Sequence, residues 1–191
     1  SSLVGSEMCI RDSYIWIVNS DDYIEPQALK ELAQLIESFP EDNLPIIASS
    51  MRFINLNQNT STIYISNEKA PQKGYKSLDM GIIHPATLVP KSIYKQIGNY
   101  DDRFSIMADI DWFIRACKTH QPIYSSTIVS TNMCYGGIST TSQFKKLYKE
   151  RTMLYKKHTR NLIEEKLYLS KWCIRHFKNT LYTKIKSLKH K

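Results

Sequence analysis

No stretch of this chain comes near the roughly 18 apolar residues that a membrane-spanning helix needs. Its four cysteines, Cys9, Cys117, Cys134 and Cys173, stand too far apart for a CxxC pair, which removes zinc ribbons and dithiol redox motifs. They do not suggest a disulfide framework either, so reduced, buried thiols in a cytosolic protein are expected. There is no internal repeat. Residues 1–13, SSLVGSEMCIRDS, lack the basic start and apolar centre of a signal peptide. Acidic residues are absent from 166–191, where eight Lys and Arg occur; the remaining 18 basic residues are balanced by 18 acidic ones. The net charge of +8 therefore lies in a tail. A nucleic-acid-binding domain spreads its basic charge over a folded face, so no nucleic-acid partner is expected.

What is present has the make-up of an ordinary globular protein, 42% hydrophobic and 23% charged, and 191 residues suit one domain with a proper core. The organising stretch is residues 14–26, YIWIVNSDDYIEP. Five apolar or aromatic residues run into Asn19, Ser20, Asp21 and Asp22, which reads as a buried strand ending in a loop. In open α/β sheets ligands bind at the carboxyl ends of strands. Two adjacent carboxylates repel, and a divalent cation carrying a diphosphate relieves the repulsion. The other reading is that Ser20, Asp21 and Asp22 merely cap the helix that begins near Pro26.

Along the chain, Leu29, Leu32, Ala33, Leu35 and Ile36 have helical spacing, with Pro26 to start the helix and Pro40 to stop it. Residues 45–53 and 61–65 read as strands of a hairpin. Residues 78–88, with Gly81, His84 and Pro85, read as extended chain crossing a site. A short helix at 90–97 is stopped by Gly98, and residues 108–120 form another helix. A strand rich in β-branched residues covers 122–132, followed by a glycine turn at 135–139. From Gln143 onward a single basic helix is expected, because no Pro or Gly interrupts it. Mixed helices and strands, with the first helix following a buried strand, place the chain in the α/β class.

Four stretches, in this order, carry a resemblance: Asn19-Ser20-Asp21-Asp22; His84-Pro85-Ala86-Thr87 continuing to Gly98-Asn99-Tyr100-Asp101; Ala108-Asp109-Ile110-Asp111-Trp112-Phe113-Ile114-Arg115; and Gly136-Gly137-Ile138-Ser139. Together they resemble family 2 inverting glycosyltransferases of the GT-A fold, of the bacterial polysaccharide-synthesis kind. The resemblance covers about residues 14–141. It implies that Asn19-Ser20-Asp21 stands where the family has its DxD motif. Asp21 would ligate Mn2+ or Mg2+ bridging the diphosphate of a nucleotide-sugar, of UDP type, and Asn19 would hydrogen-bond the nucleoside. Asp22 would support the metal shell or cap the helix. Asp109 stands where the family places its catalytic base, although the acidic neighbour usual before it is Ala108 here. Physical reasoning agrees: the first turn of a helix favours an ionised carboxylate. Asp111 lies two residues on and faces elsewhere; it is structural or touches the acceptor, and it is spaced to pair with Arg115. His84 would line the donor or acceptor pocket, with a hydrogen-bonded structural histidine as the alternative.

The same resemblance implies a first strand and base-binding turn that do not occur here. Residues 1–13 resemble a translated sequencing-adaptor read-through and are set aside from the fold. The expected division is therefore a non-native leader at 1–13, the C-terminal portion of a GT-A domain at 14–141 and a basic helical tail at 142–191. A chain so cut is expected to leave residues 14–18 short of neighbours in the sheet and to have little or no transferase activity. In the tail, Leu167, Leu169, Trp172, Cys173, Ile174 and Phe177 recur at spacings near three and four among lysines and arginines. That is the pattern of a helix lying on an anionic membrane, here the inner face of the plasma membrane; the other reading is a helix packed on the domain with a solvated basic face. It also suits a glycan or lipid-linked acceptor. The rival to a transferase is a non-catalytic, degenerate domain or a membrane-surface module with a solvated Asp pair.

Overall fold

The computed structural model describes residues 6–8, 13–55, 59–69, 78, 80–134, 144–159 and 161–188. Its strands are β1 (Ser6–Met8), β2 (Tyr14–Val18), β3 (Tyr23–Ile24), β4 (Ile47–Asn55), β5 (Thr60–Tyr64), β6 (Thr87–Pro90) and β7 (Ile123–Cys134). Its helices are α1 (Pro26–Glu37), α2 (Lys91–Ile97), α3 (Ala108–Ala116), α4 (Phe144–Thr159) and α5 (Leu162–Leu188). The strands form one mixed sheet in the order β1-β2-β6-β4-β7-β3, with β5 hairpin-paired to β4 off this path. The α/β class holds.

β6 runs antiparallel to both β2 and β4, and β4 runs parallel to β7. The carboxyl ends of β2, β4 and β7 therefore gather at one end of the sheet, beside the amino end of β6. β2 alternates rather than being buried throughout: Tyr14, Trp16 and Val18 point inward, while Ile15 and Ile17 are half-buried. The inward set packs on Ala28, Leu32 and Ile36 of α1. The other face of the sheet takes α2 and α3, where Ile46, Val89, Ile93, Trp112, Phe113 and Ala116 form a second core. A third core, built on Phe104, Met107, Ile114, Leu154 and Tyr155, joins α3 to α4.

Three expectations change. Within the leader, Ser6–Met8 pairs antiparallel with β2, from Ser6 opposite Val18 to Met8 opposite Trp16, so β2 has a neighbour on both sides. The basic tail is two helices, not one. Asn161 breaks it: its side-chain oxygen accepts the N–H groups of Ile163 (3.0 Å) and Glu164 (3.2 Å), which starts α5 afresh. Helix α3 ends at Ala116, short of His120. The glycine turn at 135–139 lies outside the described residues.

Candidate active site

The loop after β2 is a tight turn in which the Asp22 N–H donates to the Asn19 carbonyl at 3.1 Å. Asp22 is turned into the protein. Its Oδ2 accepts the Asn19 amide at 2.8 Å, and its Oδ1 accepts the N–H of Cys134, the last residue of β7, at 3.2 Å. Burial raises the Asp22 carboxyl above its ordinary value, although these two hydrogen bonds oppose the rise. Asp22 is thus a latch between β2 and β7. It does not cap α1: the residue before that helix is Glu25, no side chain bonds its N-terminus, and Pro26 needs no partner there. Glu25 instead accepts hydrogen bonds from Arg52 (3.1 Å) and Asn132 (2.9 Å). One of the two Asn19 amide N–H groups is taken by Asp22.

Asp21 differs. It is exposed, and among the described residues no donor reaches its carboxylate. Among those residues no group of three or more His, Cys, Asp or Glu comes together that could hold a metal ion. The donor set does not make an all-protein ion cage. It does suit Mg2+ or Mn2+ arriving with a diphosphate, which takes only one or two protein carboxylates, and Asp21 is the residue that would hold it.

His84 opens a 3-10 turn, His84–Ala86, at the entry to β6. The Pro85 carbonyl accepts both Trp16 Nε1 (2.8 Å) and Thr131 Oγ1 (2.7 Å), and the Ala86 carbonyl accepts Ser49 Oγ (2.6 Å). Side chains from β2, β7 and β4 thereby pin the turn. The imidazole meets the edge of Phe113, with ring centres 5.9 Å apart, and lies 3.5 Å from the Tyr100 hydroxyl. Burial pushes the His84 pKa down, and the nearby charge of Asp109 opposes this.

Asp109 is the second residue of α3. Its Oδ1 accepts the Ile110 N–H at 2.8 Å. Asp109 and His84 line one cleft of ≈ 810 Å³, whose far wall includes Arg151 and Tyr155 of α4 and Lys171 and Trp172 of α5. A carboxylate and an imidazole kept neutral by burial are both able to accept a proton.

Asp111 and Arg115 are not in that cleft. Asp111 is fully buried, and both of its oxygens are occupied: Oδ2 by Arg115 Nε (3.1 Å), Oδ1 by Lys157 Nζ (2.7 Å) and His158 Nε2 (2.8 Å). Burial alone raises its pKa, but the hydrogen bonds from His158, Lys157 and Arg115 prevail and hold it at about 2. Arg115 also donates through Nη1 to the Ile97 carbonyl and through Nη2 to the Asn99 carbonyl, each at 2.8 Å. The pairing expected of these two residues is present. Behind the site, buried Glu150 of α4 accepts the N–H groups of Ser105 (3.2 Å), Ile106 (2.8 Å) and Met107 (3.0 Å) and the Ser105 hydroxyl (2.7 Å). These residues immediately precede α3, so Glu150 fixes where Asp109 begins. The available signal was that Glu150 is the sole acid in the basic helix FKKLYKERTMLYKKHT.

The structure thus brings His84 and Asp109 to one cleft, sets Asp21 on the loop at the same end of the sheet, and gives Asn19, Asp22, Asp111 and Arg115 hydrogen bonds that hold the frame. No protein-family model matches the chain, and neither does any curated protein.

Proposed function

We propose that the chain belongs to a GT-A type glycosyltransferase that moves a sugar from a nucleotide-sugar, of UDP type, to a glycan or lipid-linked acceptor with inversion. The observation that carries this reading is the placement of Asp109: a carboxylate at a helix start, facing a cleft beside a neutral imidazole. With Oδ1 held by Ile110, the other oxygen is left to take the proton of an acceptor hydroxyl. As the hydroxyl oxygen bonds to the sugar carbon from one face, the bond to the diphosphate breaks on the other, and the bonding pair leaves with the phosphate. His84 hydrogen-bonds and orients the acceptor. Asp21 would hold Mn2+ or Mg2+, which when bound would supply charge stabilisation for the leaving diphosphate.

The partner surface follows from α5. Ile163, Leu167, Ile174 and Phe177 are exposed on one stripe, flanked by Lys166, Lys171, Arg175 and Lys178. No helix among the described residues is long and apolar enough to cross a membrane. A stripe of this kind suits an anionic bilayer surface, and Ile174→Asp with Phe177→Asp is expected to abolish co-sedimentation with anionic liposomes.

The test of the transferase reading is UDP binding with and without Mn2+. Binding that requires Mn2+ and is lost in Asp21→Ala supports it. Equal binding in both proteins favours the second reading, a non-catalytic module, which the inward commitment of Asn19 and Asp22 supports.

A further inference from the structure

The cleft at Asp109 has a cationic wall that the transfer chemistry above does not use. Arg151 of α4 and Lys171 and Arg175 of α5 all line it. Lys171 and Arg175 are four residues apart on a helix, so their charges share one face and repel. Among the described residues neither forms a salt bridge, and neither does Arg151. Arg151 is held in place without being neutralised. One guanidinium nitrogen donates to the Tyr168 hydroxyl at 2.6 Å, the group lies 4.9 Å from the centre of the Trp172 ring, and its buried Nε has no hydrogen-bond partner. A guanidinium carries five N–H donors and no acceptor, so several remain for a ligand. Like charges gathered on one wall repel. One anion placed among the three relieves that repulsion and can accept from the guanidinium N–H groups of Arg151 that face the cleft.

We infer that this wall is a binding site for a phosphate or diphosphate group on a second ligand, distinct from the nucleotide. The rest of the lining includes the carboxylates of Asp109 and Glu164, and apolar and ring-bearing residues that fit a molecule with a matching portion: Met80, Ile82, Phe113, Leu167 and Trp172. Planar Arg151 suits a bidentate grip on phosphate, while Lys171 and Arg175 add point charge. The anion-bearing end of the ligand lies against α5 and its other end reaches Asp109. Asp21, where the donor diphosphate belongs, does not line this cleft. That the second ligand is the acceptor rests on the transferase reading; the anion site itself does not.

The test is calorimetric titration of the full chain with inorganic pyrophosphate, and separately with UDP plus Mn2+. Lys171 and Arg175 are both exposed, so the double change Lys171→Gln with Arg175→Gln is compatible with folding, which circular dichroism checks. The double variant is expected to bind pyrophosphate at least tenfold more weakly and to bind UDP–Mn2+ as the parent does. Arg151→Lys, which keeps the charge but loses the planar fork, is expected to weaken pyrophosphate several-fold. Emission from Trp172 reports the same event, because Trp16 and Trp112 are fully buried elsewhere. Pyrophosphate affinity equal in parent and double variant, or no pyrophosphate binding by the parent, overturns the site. An equal loss of UDP affinity in the double variant overturns the second ligand and gives the wall to the donor. Failure of UDP binding alone, with pyrophosphate binding intact, sinks the transferase reading and leaves the anion site standing.

Discussion

Two aspartates two residues apart carry opposite duties, and exchanging each separates them. Asp111→Ala removes a fully buried carboxylate that three side chains hold. Removing one member of a buried ion pair costs about 3–5 kcal/mol, because the partner charges stay behind. Here Arg115 keeps the Ile97 and Asn99 carbonyls, and Lys157 keeps Asp101 at 2.8 Å, so the lower end, about 3 kcal/mol, applies. A second route gives a similar size. The carboxyl is held at about 2 against an ordinary 3.8; at about 1.4 kcal/mol per pKa unit this amounts to about 2 kcal/mol. For a chain of this length, about 3 kcal/mol lowers Tm by roughly 6–12 °C. The pH dependence has a fixed sign. Because the folded pKa is depressed, the unfolded chain takes up the proton first as pH falls. The contribution is full above about pH 4 and disappears between about pH 4 and pH 2. Calorimetric unfolding at pH 7 and at stepwise lower pH is the assay. The gap between parent and Asp111→Ala should be wide at pH 7 and close through that window. Asp109→Asn, at a half-buried position with one local hydrogen bond, should move Tm by about 2 °C or less while abolishing any sugar transfer. If Asp109→Asn unfolds the protein as readily as Asp111→Ala, or if the gap is independent of pH, the division of duties is wrong.

Glu150→Ala leaves three backbone N–H groups without their acceptor and is expected to cost about 3 kcal/mol, read as a lower midpoint in urea at unchanged slope. Gly98→Ala tests backbone alone, since a Cβ there meets nothing within 4 Å while φ is +79°. With ψ at −171° the conformation is essentially reserved for glycine, so a loss of about 1–3 kcal/mol in thermal unfolding is expected. Asn161→Ala removes the cap that starts α5; a loss of about 1 kcal/mol, with faster hydrogen exchange over the first turn of α5, is expected.

Local signals in the chain were readable, and long-range ones were not. The apolar run 14–18 bounded by turn formers announced β2, Pro26 announced α1, and the i,i+4 spacing of Asp111 and Arg115 announced their pairing. Gly98 marked the end of α2 because its backbone needs a positive φ. The burial of Asp111 was hidden, since two of its partners come from α4, His158 being 47 positions away. Asp22 looked free for a metal because its latch, the Cys134 N–H, is 112 residues distant. The break at Asn161 was missed because an asparagine cap is a weaker break signal than Gly or Pro, and nothing else interrupts the basic pattern. Residues 1–13 were set aside for their resemblance to an adaptor read-through, and the pairing of β1 with β2 could not be read from them because it is a property of two segments, not of one.

The grip of α4 on the segment before and within α3 has a consequence in time. Glu150 holds residues 105–107 and His158 holds Asp111, at sequence separations of 43 to 47. Until α4 has been synthesised, the N–H groups ahead of α3 lack their acceptor and Asp111 lacks two of its three partners. Helix α3 is therefore completed late, after all the strands of the sheet have been made. During growth of the chain, Asp109 acquires its fixed position only when a helix more than forty residues downstream closes over it. A released chain truncated before residue 150 is thus expected to expose this segment to protease, and one extending past α4 to protect it.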